Sequence, residues 1–180
     1  MPSSASSPSG AILRLIQHPP SDPVNPPEPR SIRYHWEDFP AGHTRTFGAM
    51  PVTREAVLAF ASQFDPQPFH LDDAAAEASL FGRLSASGWH TCAMAMRMMC
   101  DAYLLESSSL GSPGLDKLRW QQPVYPGDTL SMRLQVLEAR LMASRPGIGL
   151  TQIQWEVLNQ HGVAVMAMEG WNMFRCRSVA

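Results

Sequence analysis

The stretch that decides the fold is residues 89–105, WHTCAMAMRMMCDAYLL. It holds no proline or glycine and is rich in Ala, Met and Leu, so it predicts one helix over Trp89–Leu105. Apolar residues lie on nearly every side of it, interrupted by His90, Arg97 and Asp101. A helix of that kind belongs in a core. From Leu115 onward the apolar period changes to two. Leu130, Met132, Leu134 and Val136 alternate with Thr129, Ser131, Arg133 and Gln135. Ile153, Trp155 and Val157 alternate with Gln152, Gln154 and Glu156. Asn159-Gln160-His161-Gly162 reads as a hairpin turn, and Val163–Phe174 as a strand apolar on both faces. Pro126-Gly127-Asp128 supplies the turn before the long strand. A long buried helix followed by antiparallel strands makes an α+β domain, with the helix packed on a curled sheet.

Upstream, Tyr34–Phe39 and Thr44–Met50 read as extended, punctuated by Pro40-Ala41-Gly42. Thr53 has the chemistry of an N-cap, with Glu55 in the first turn where a carboxylate suits the helix dipole. Ala56, Val57, Phe60, Ala61 and Phe64 follow at helical spacing, predicting a helix over Arg54–Phe64. Asp65-Pro66-Gln67-Pro68 must end it, because the proline ring forbids continuation. Asp72 or Asp73 caps a short Ala-rich helix to about Ser79.

The chain has 180 residues, with 14 Lys and Arg against 16 Asp and Glu, a net charge of −2. That balance removes the simplest argument for a nucleic-acid or polybasic membrane-surface partner. Charged residues are 17%, below the roughly 25% of an average soluble chain. So few charges point to extensive burial, including burial between subunits. Eight of the 16 prolines fall within residues 1–30, and Pro, Ser and Gly make up half of that segment. Such a composition cannot bury enough apolar surface to offset its ordering entropy. Residues 1–31 therefore read as a flexible, disordered Pro/Ser-rich arm, and residues 32–180 as one domain. A transit peptide or a partner-docking arm are the other readings of this segment. No apolar run approaches the ~18 residues of a membrane span. Cys92, Cys100 and Cys176 form neither a CxxC nor a metal-ligand spacing, which points to a reducing, cytoplasmic compartment.

Two clusters carry chemistry. In Asp65-Pro66-Gln67-Pro68-Phe69-His70-Leu71-Asp72, two prolines hold a carboxylate and an imidazole on a stiff backbone. General acid–base catalysis needs both groups within reach of one small molecule, often a water. By spacing alone the catalytic signal is weak, and turn and capping chemistry is the plainer account of these residues. In Ser85-Ala86-Ser87-Gly88-Trp89, the glycine stands at the start of the long helix. The first helical amides have no internal partner, and the dipole adds positive charge there, so an oxyanion fits. A glycine needed only for loop shape is the plainer alternative. His90, on the buried helix, reads as a hydrogen-bonded core residue. Phosphate-binding, zinc-protease and serine-hydrolase motifs are absent from the sequence.

Taken together, these motifs resemble the MaoC-like acyl dehydratases, hot-dog-fold relatives of (R)-specific enoyl-CoA hydratases. The resemblance covers most of residues 34–175. Trp36-Glu37-Asp38-Phe39-Pro40-Ala41-Gly42 is similar to the family's opening E-D-[FL]-x-x-G. The signature D-x-[NQ]-P-x-H-x-D is met by Asp65, Gln67, Pro68, His70 and Asp72. Phe81-Gly82 follows, then Gly88, eighteen residues beyond His70. Pro123-Val124-Tyr125-Pro126-Gly127-Asp128-Thr129-Leu130 is similar to the family's P-V-x-P-G-D-x-L, and Asn159–Gly162 to its N-x-x-G hairpin. Gln67 replaces the common asparagine, Ser87 the common histidine before the glycine, and Trp89-His90 the usual Met-Leu.

The resemblance implies a single hot-dog domain, its long central helix wrapped by a curled antiparallel sheet and paired as a homodimer or a higher oligomer of dimers. It implies reversible hydration of a trans-2-enoyl thioester, borne by CoA or acyl carrier protein, in fatty acid metabolism. Asp65 and His70 match the catalytic pair, and Gly88 the residue whose amide binds the thioester oxygen. Gln67, Ser87 and Trp89 border the acyl pocket, which the Met residues of the long helix would extend if they line a tunnel and not ordinary core. The implied reaction uses no metal or other cofactor, and no nucleic-acid or membrane partner is expected. Arg83, Lys117 and Arg119 are candidates for the adenine end of CoA by charge alone. A hot-dog thioesterase and a noncatalytic acyl-thioester-binding module are the alternatives.

Overall fold

The computed structural model describes residues 31–178. The arm predicted over residues 1–31 thus lies, save its last residue, outside the described residues. The remaining chain forms β1 (Thr44–Pro51), α1 (Arg54–Phe64), α2 (Asp73–Glu77), α3 (Gly88–Ala102), β2 (Gly114–Trp120), β3 (Thr129–Leu141), β4 (Ile148–Leu158) and β5 (Ala164–Arg175). The five strands make one antiparallel sheet in the order β1-β3-β4-β5-β2, curled about the long helix α3 as in hot-dog folds. No helix among the described residues is long and apolar enough to cross a membrane.

The period-two pattern does what it predicts. Leu130, Met132, Leu134 and Val136 of β3 are buried, as are Ile153, Trp155 and Val157 of β4. The register pairs Leu134 with Trp155 and Val136 with Ile153, so both rows point to the same face. Met94, Ala95, Met98 and Met99 of α3 join these rows in one core. Each of the larger aliphatic side chains contributes on the order of 1.5–3 kcal/mol by leaving water. The residue register is strict because a slip by one would turn every buried side chain outward.

The helix-start chemistry of the sequence is also realised. Thr53 Oγ1 accepts from the Ala56 amide, and α1 runs over the predicted Arg54–Phe64. Asp72 caps α2 by accepting from the Ala75 amide. Each cap is worth about 1 kcal/mol.

Four expectations need correction. First, Tyr34–Phe39 is not extended throughout: Trp36–Asp38 is a 3-10 turn. The Asp38 carboxylate accepts from the His35 amide at 2.8 Å, and the Trp36 indole lies against Gly149, where a side chain on β4 would collide with it. Second, α3 stops at Ala102, short of Leu105. Tyr103 leaves helical geometry and turns into the core, where its ring packs against Phe39 and Phe47 and its hydroxyl accepts from the Trp155 indole. Third, α3 is not buried all round in a single chain: Trp89 and Met96 are half or more exposed. Fourth, His90 is buried, yet its Nδ1 has no hydrogen-bond partner among the described residues. Its ring instead stacks on Phe60, with centroids 4.7 Å apart and planes 9° from parallel. Burial lowers its pKa, so it stays neutral.

Candidate active site

Asp65 is the residue on which α1 ends. Its amide still donates to Ala61, but the prolines that follow lead the chain away. Pro68 opens a 3-10 turn, Pro68–His70, in which the His70 amide donates to Gln67. This tight path folds His70 back toward Asp65. His70 Nε2 lies 3.6 Å from Asp65 Oδ2.

Each of these side chains is fixed by its neighbours. Ser87 Oγ donates to Asp65 Oδ2 at 2.6 Å, and Gln67 Nε2 donates to Asp65 Oδ1 at 2.7 Å. The Ser87 hydroxyl foremost, then the Gln67 amide and the nearby His70, hold the Asp65 carboxyl below the ordinary aspartate range, against the opposing effect of partial burial. Asp65 is therefore a carboxylate at neutral pH.

His70 is buried, with Nδ1 2.8 Å from the Ser85 carbonyl oxygen. A carbonyl only accepts, so Nδ1 carries a proton. In the neutral ring this leaves the Nε2 lone pair facing Asp65 Oδ2. Two acceptors then confront each other. A water placed between them can donate one proton to each, and its oxygen lone pairs are then left to point elsewhere.

Ser87 also closes the other half of the site. It is the N-cap of α3, and its Oγ accepts from the Trp89 amide. Gly88 is the first residue of α3, so its amide has no acceptor within the helix. The absence of a side chain there is required by packing: a Cβ on Gly88 would lie 2.5 Å from Trp120 Cε2.

Asp65, His70 and Gly88 line one pocket of about 430 Å³. Gln67 and Trp89 line it as well. Ser87 sits behind the wall, buried, and acts through its bond to Asp65. That volume falls in the lower part of the roughly 300–1,000 Å³ range of ligand sites. None of the α3 methionines lines it: Met94, Met98 and Met99 are core, so the tunnel reading of those residues gives way to ordinary packing. Arg83 stacks over the Tyr125 ring at 3.7 Å, while Lys117 pairs with Glu169 across β2 and β5.

Sequence reasoning missed Trp120, Gln121 and Gln122, which form the wall beside Gly88. Their one signal is position, immediately before the Pro123-Val124 turn. It also missed that the Ser85 carbonyl orients His70.

Residues 38–152 match the family model described as MaoC like domain. The solved MaoC-like dehydratase from Rhodospirillum rubrum is 37% identical, with 81% of this chain and 99% of that chain covered and a TM-score of 0.76. R-Hydratase PhaJ1 from Pseudomonas aeruginosa shares the fold, with 24% identity, 78% of this chain and 85% of that one covered, and a TM-score of 0.64. Among curated proteins, the uncharacterized YdeM of Bacillus subtilis (strain 168) is 25% identical over 133 residues, 74% of this chain and 93% of its own.

Proposed function

The chain belongs to the MaoC-like dehydratase family, and on that premise we propose that it adds water reversibly to a trans-2-enoyl thioester carried by CoA or acyl carrier protein. The observation that carries this reading is the approach of Asp65 Oδ2 and His70 Nε2 to 3.6 Å, in a pocket that Gly88 also lines.

The chemistry follows from the charges. In the thioester, the carbonyl withdraws electrons through the double bond and leaves Cβ electrophilic. The Asp65–His70 pair holds a water and takes one proton from it as the water oxygen bonds to Cβ. Negative charge then moves to the thioester oxygen, where the Gly88 amide and the α3 dipole stabilise it. The same pair returns one proton to Cα, and the net change is the addition of H and OH. The substrate's own carbonyl supplies the activation, so the proposal calls for no metal or redox cofactor.

A second copy of the chain is the partner that best fits the outward-facing half of α3 and the exposed edge strand β2. Homodimers, alone or assembled into a higher oligomer, would cover both. The free thiols Cys92, Cys100 and Cys176 fit a reducing, cytoplasmic compartment.

The test is to mix protein with crotonyl-CoA and follow both loss of the conjugated double bond and release of free thiol. Hydration without thiol release supports the reading. Thiol release without hydration hands the site to a thioesterase, and binding without either leaves a noncatalytic module.

A further inference from the structure

Trp120 ends β2, on the sheet edge paired with β5. Its indole Nε1 donates to the Gly88 carbonyl at 2.9 Å. The ring lies against Gly88 so closely that Cε2, Nε1 and Cδ2 would all fall within 2.9 Å of a Cβ there. Its other neighbour is Trp89, edge to face at 5.4 Å. The ring is thus pinned by a hydrogen bond, a stacking contact and its own strand. Gln121 and Gln122 continue the same wall, their backbone N–H groups both donating to the Val165 carbonyl.

This position matters because of what Gly88 does. A thioester oxygen on the Gly88 amide puts the reacting carbons within a few bonds of the Trp120 ring. The pocket is already at the small end for a ligand site. A bicyclic ring at that point takes up space in the pocket beside the position where the acyl chain would begin.

We propose that Trp120 is a specificity-determining residue that limits the site to short acyl chains. This rests on the reading of the pocket as an acyl-thioester site. A ring held in place cannot be displaced by a longer chain without breaking its bond to Gly88. Each methylene that fails to fit costs about tenfold or more in selectivity.

The experiment uses the full chain with butyryl- and octanoyl-pantetheine, saturated thioesters that cannot be hydrated and carry the arm common to CoA and carrier protein. Affinities are measured by calorimetry for the wild type, Trp120→Phe and Trp120→Ala, with crotonyl-CoA hydration recorded in parallel. The wild type is expected to prefer butyryl by at least about tenfold, and Trp120→Phe, which keeps a ring but not the bond to Gly88, by less. In Trp120→Ala that preference falls by at least about tenfold. Trp120→Leu reads the same shift if the alanine variant fails to fold. An unchanged preference in the smaller variants, an equal change for both ligands, or no binding of either thioester by the wild type overturns the proposal. A shifted preference with no hydration sinks the hydratase reading and keeps the role of Trp120. Hydration with an unshifted preference does the reverse.

Discussion

Two walls of one pocket are built on opposite principles. The Asp65–His70 wall is polar, largely buried and held by hydrogen bonds from behind: Asp65 to Ser87 and Gln67, His70 to Ser85. The Trp89–Trp120 wall is aromatic and half open, held by one indole bond to Gly88. Acid–base groups must keep fixed geometry and protonation state, because small displacements cost rate steeply. A wall that only selects by shape needs bulk at the right place. Under the proposed function, the comparison assigns reaction and selectivity to different residues, with Gly88 the one position shared by both.

The comparison breaks most clearly on the polar wall. Asp65→Asn and His70→Ala should each lower kcat/KM for crotonyl-CoA hydration by about 10²–10⁴. Far-ultraviolet circular dichroism should remain that of the wild type. Full activity in either variant would remove that residue from the chemistry.

Gly88→Ala comes next, since it strikes both walls. The new methyl drives against Trp120, so α3's first turn or the indole must move. A loss of about 10² in kcat/KM is expected, as for other small displacements at a reacting centre. Steady-state kinetics that show no loss would mean that the Gly88 amide does not meet the thioester oxygen.

Ser87→Ala should have the smallest effect on rate, and it sharpens the account of Asp65. Without the Ser87 hydroxyl, the Asp65 carboxyl should titrate closer to the ordinary aspartate value, read by carbon NMR of the labelled carboxyl. The sign for stability follows from the lowered pKa. The Asp65 contribution is complete above the unfolded value of about 4 and is lost as pH falls through the lower folded value. Urea titrations should therefore show the variant less stable by about 1.5–3 kcal/mol at pH 7, with the gap closing in acid. A gap that persists in acid would trace the loss to Ser87's bond to the Trp89 amide instead.

The Asp65–His70 pairing was legible in the sequence because its parts are local, whereas the bonds that hold it come from Ser85 and Ser87, 15 and 22 residues away, and were not. Asp65, Gln67 and His70 stand within six residues, and the prolines announce a stiff turn. The rows of β3 and β4 were legible for the same reason, since alternation is a property of neighbours. The Trp36 turn was not: its aromatic residues look like strand residues, and the contact with Gly149 that bends them lies far along the chain. Trp120 was hidden likewise, 32 residues from the carbonyl it binds. Its strand, β2, shows little burial on either side and so no strong alternation. His90 illustrates the converse error, a polar residue expected to be bonded whose Nδ1 has no hydrogen-bond partner among the described residues and whose ring stacks on Phe60.

The central claim is that Asp65 and His70 deliver water across an enoyl double bond. Proton NMR of a crotonyl thioester in heavy water tests it most directly. With the wild type, the vinyl signals should give way to a 3-hydroxybutyryl thioester carrying one deuteron at Cα, and with Asp65→Asn the vinyl signals should persist. Free thiol with no hydroxyacyl product, or equal conversion by both proteins, would contradict the account.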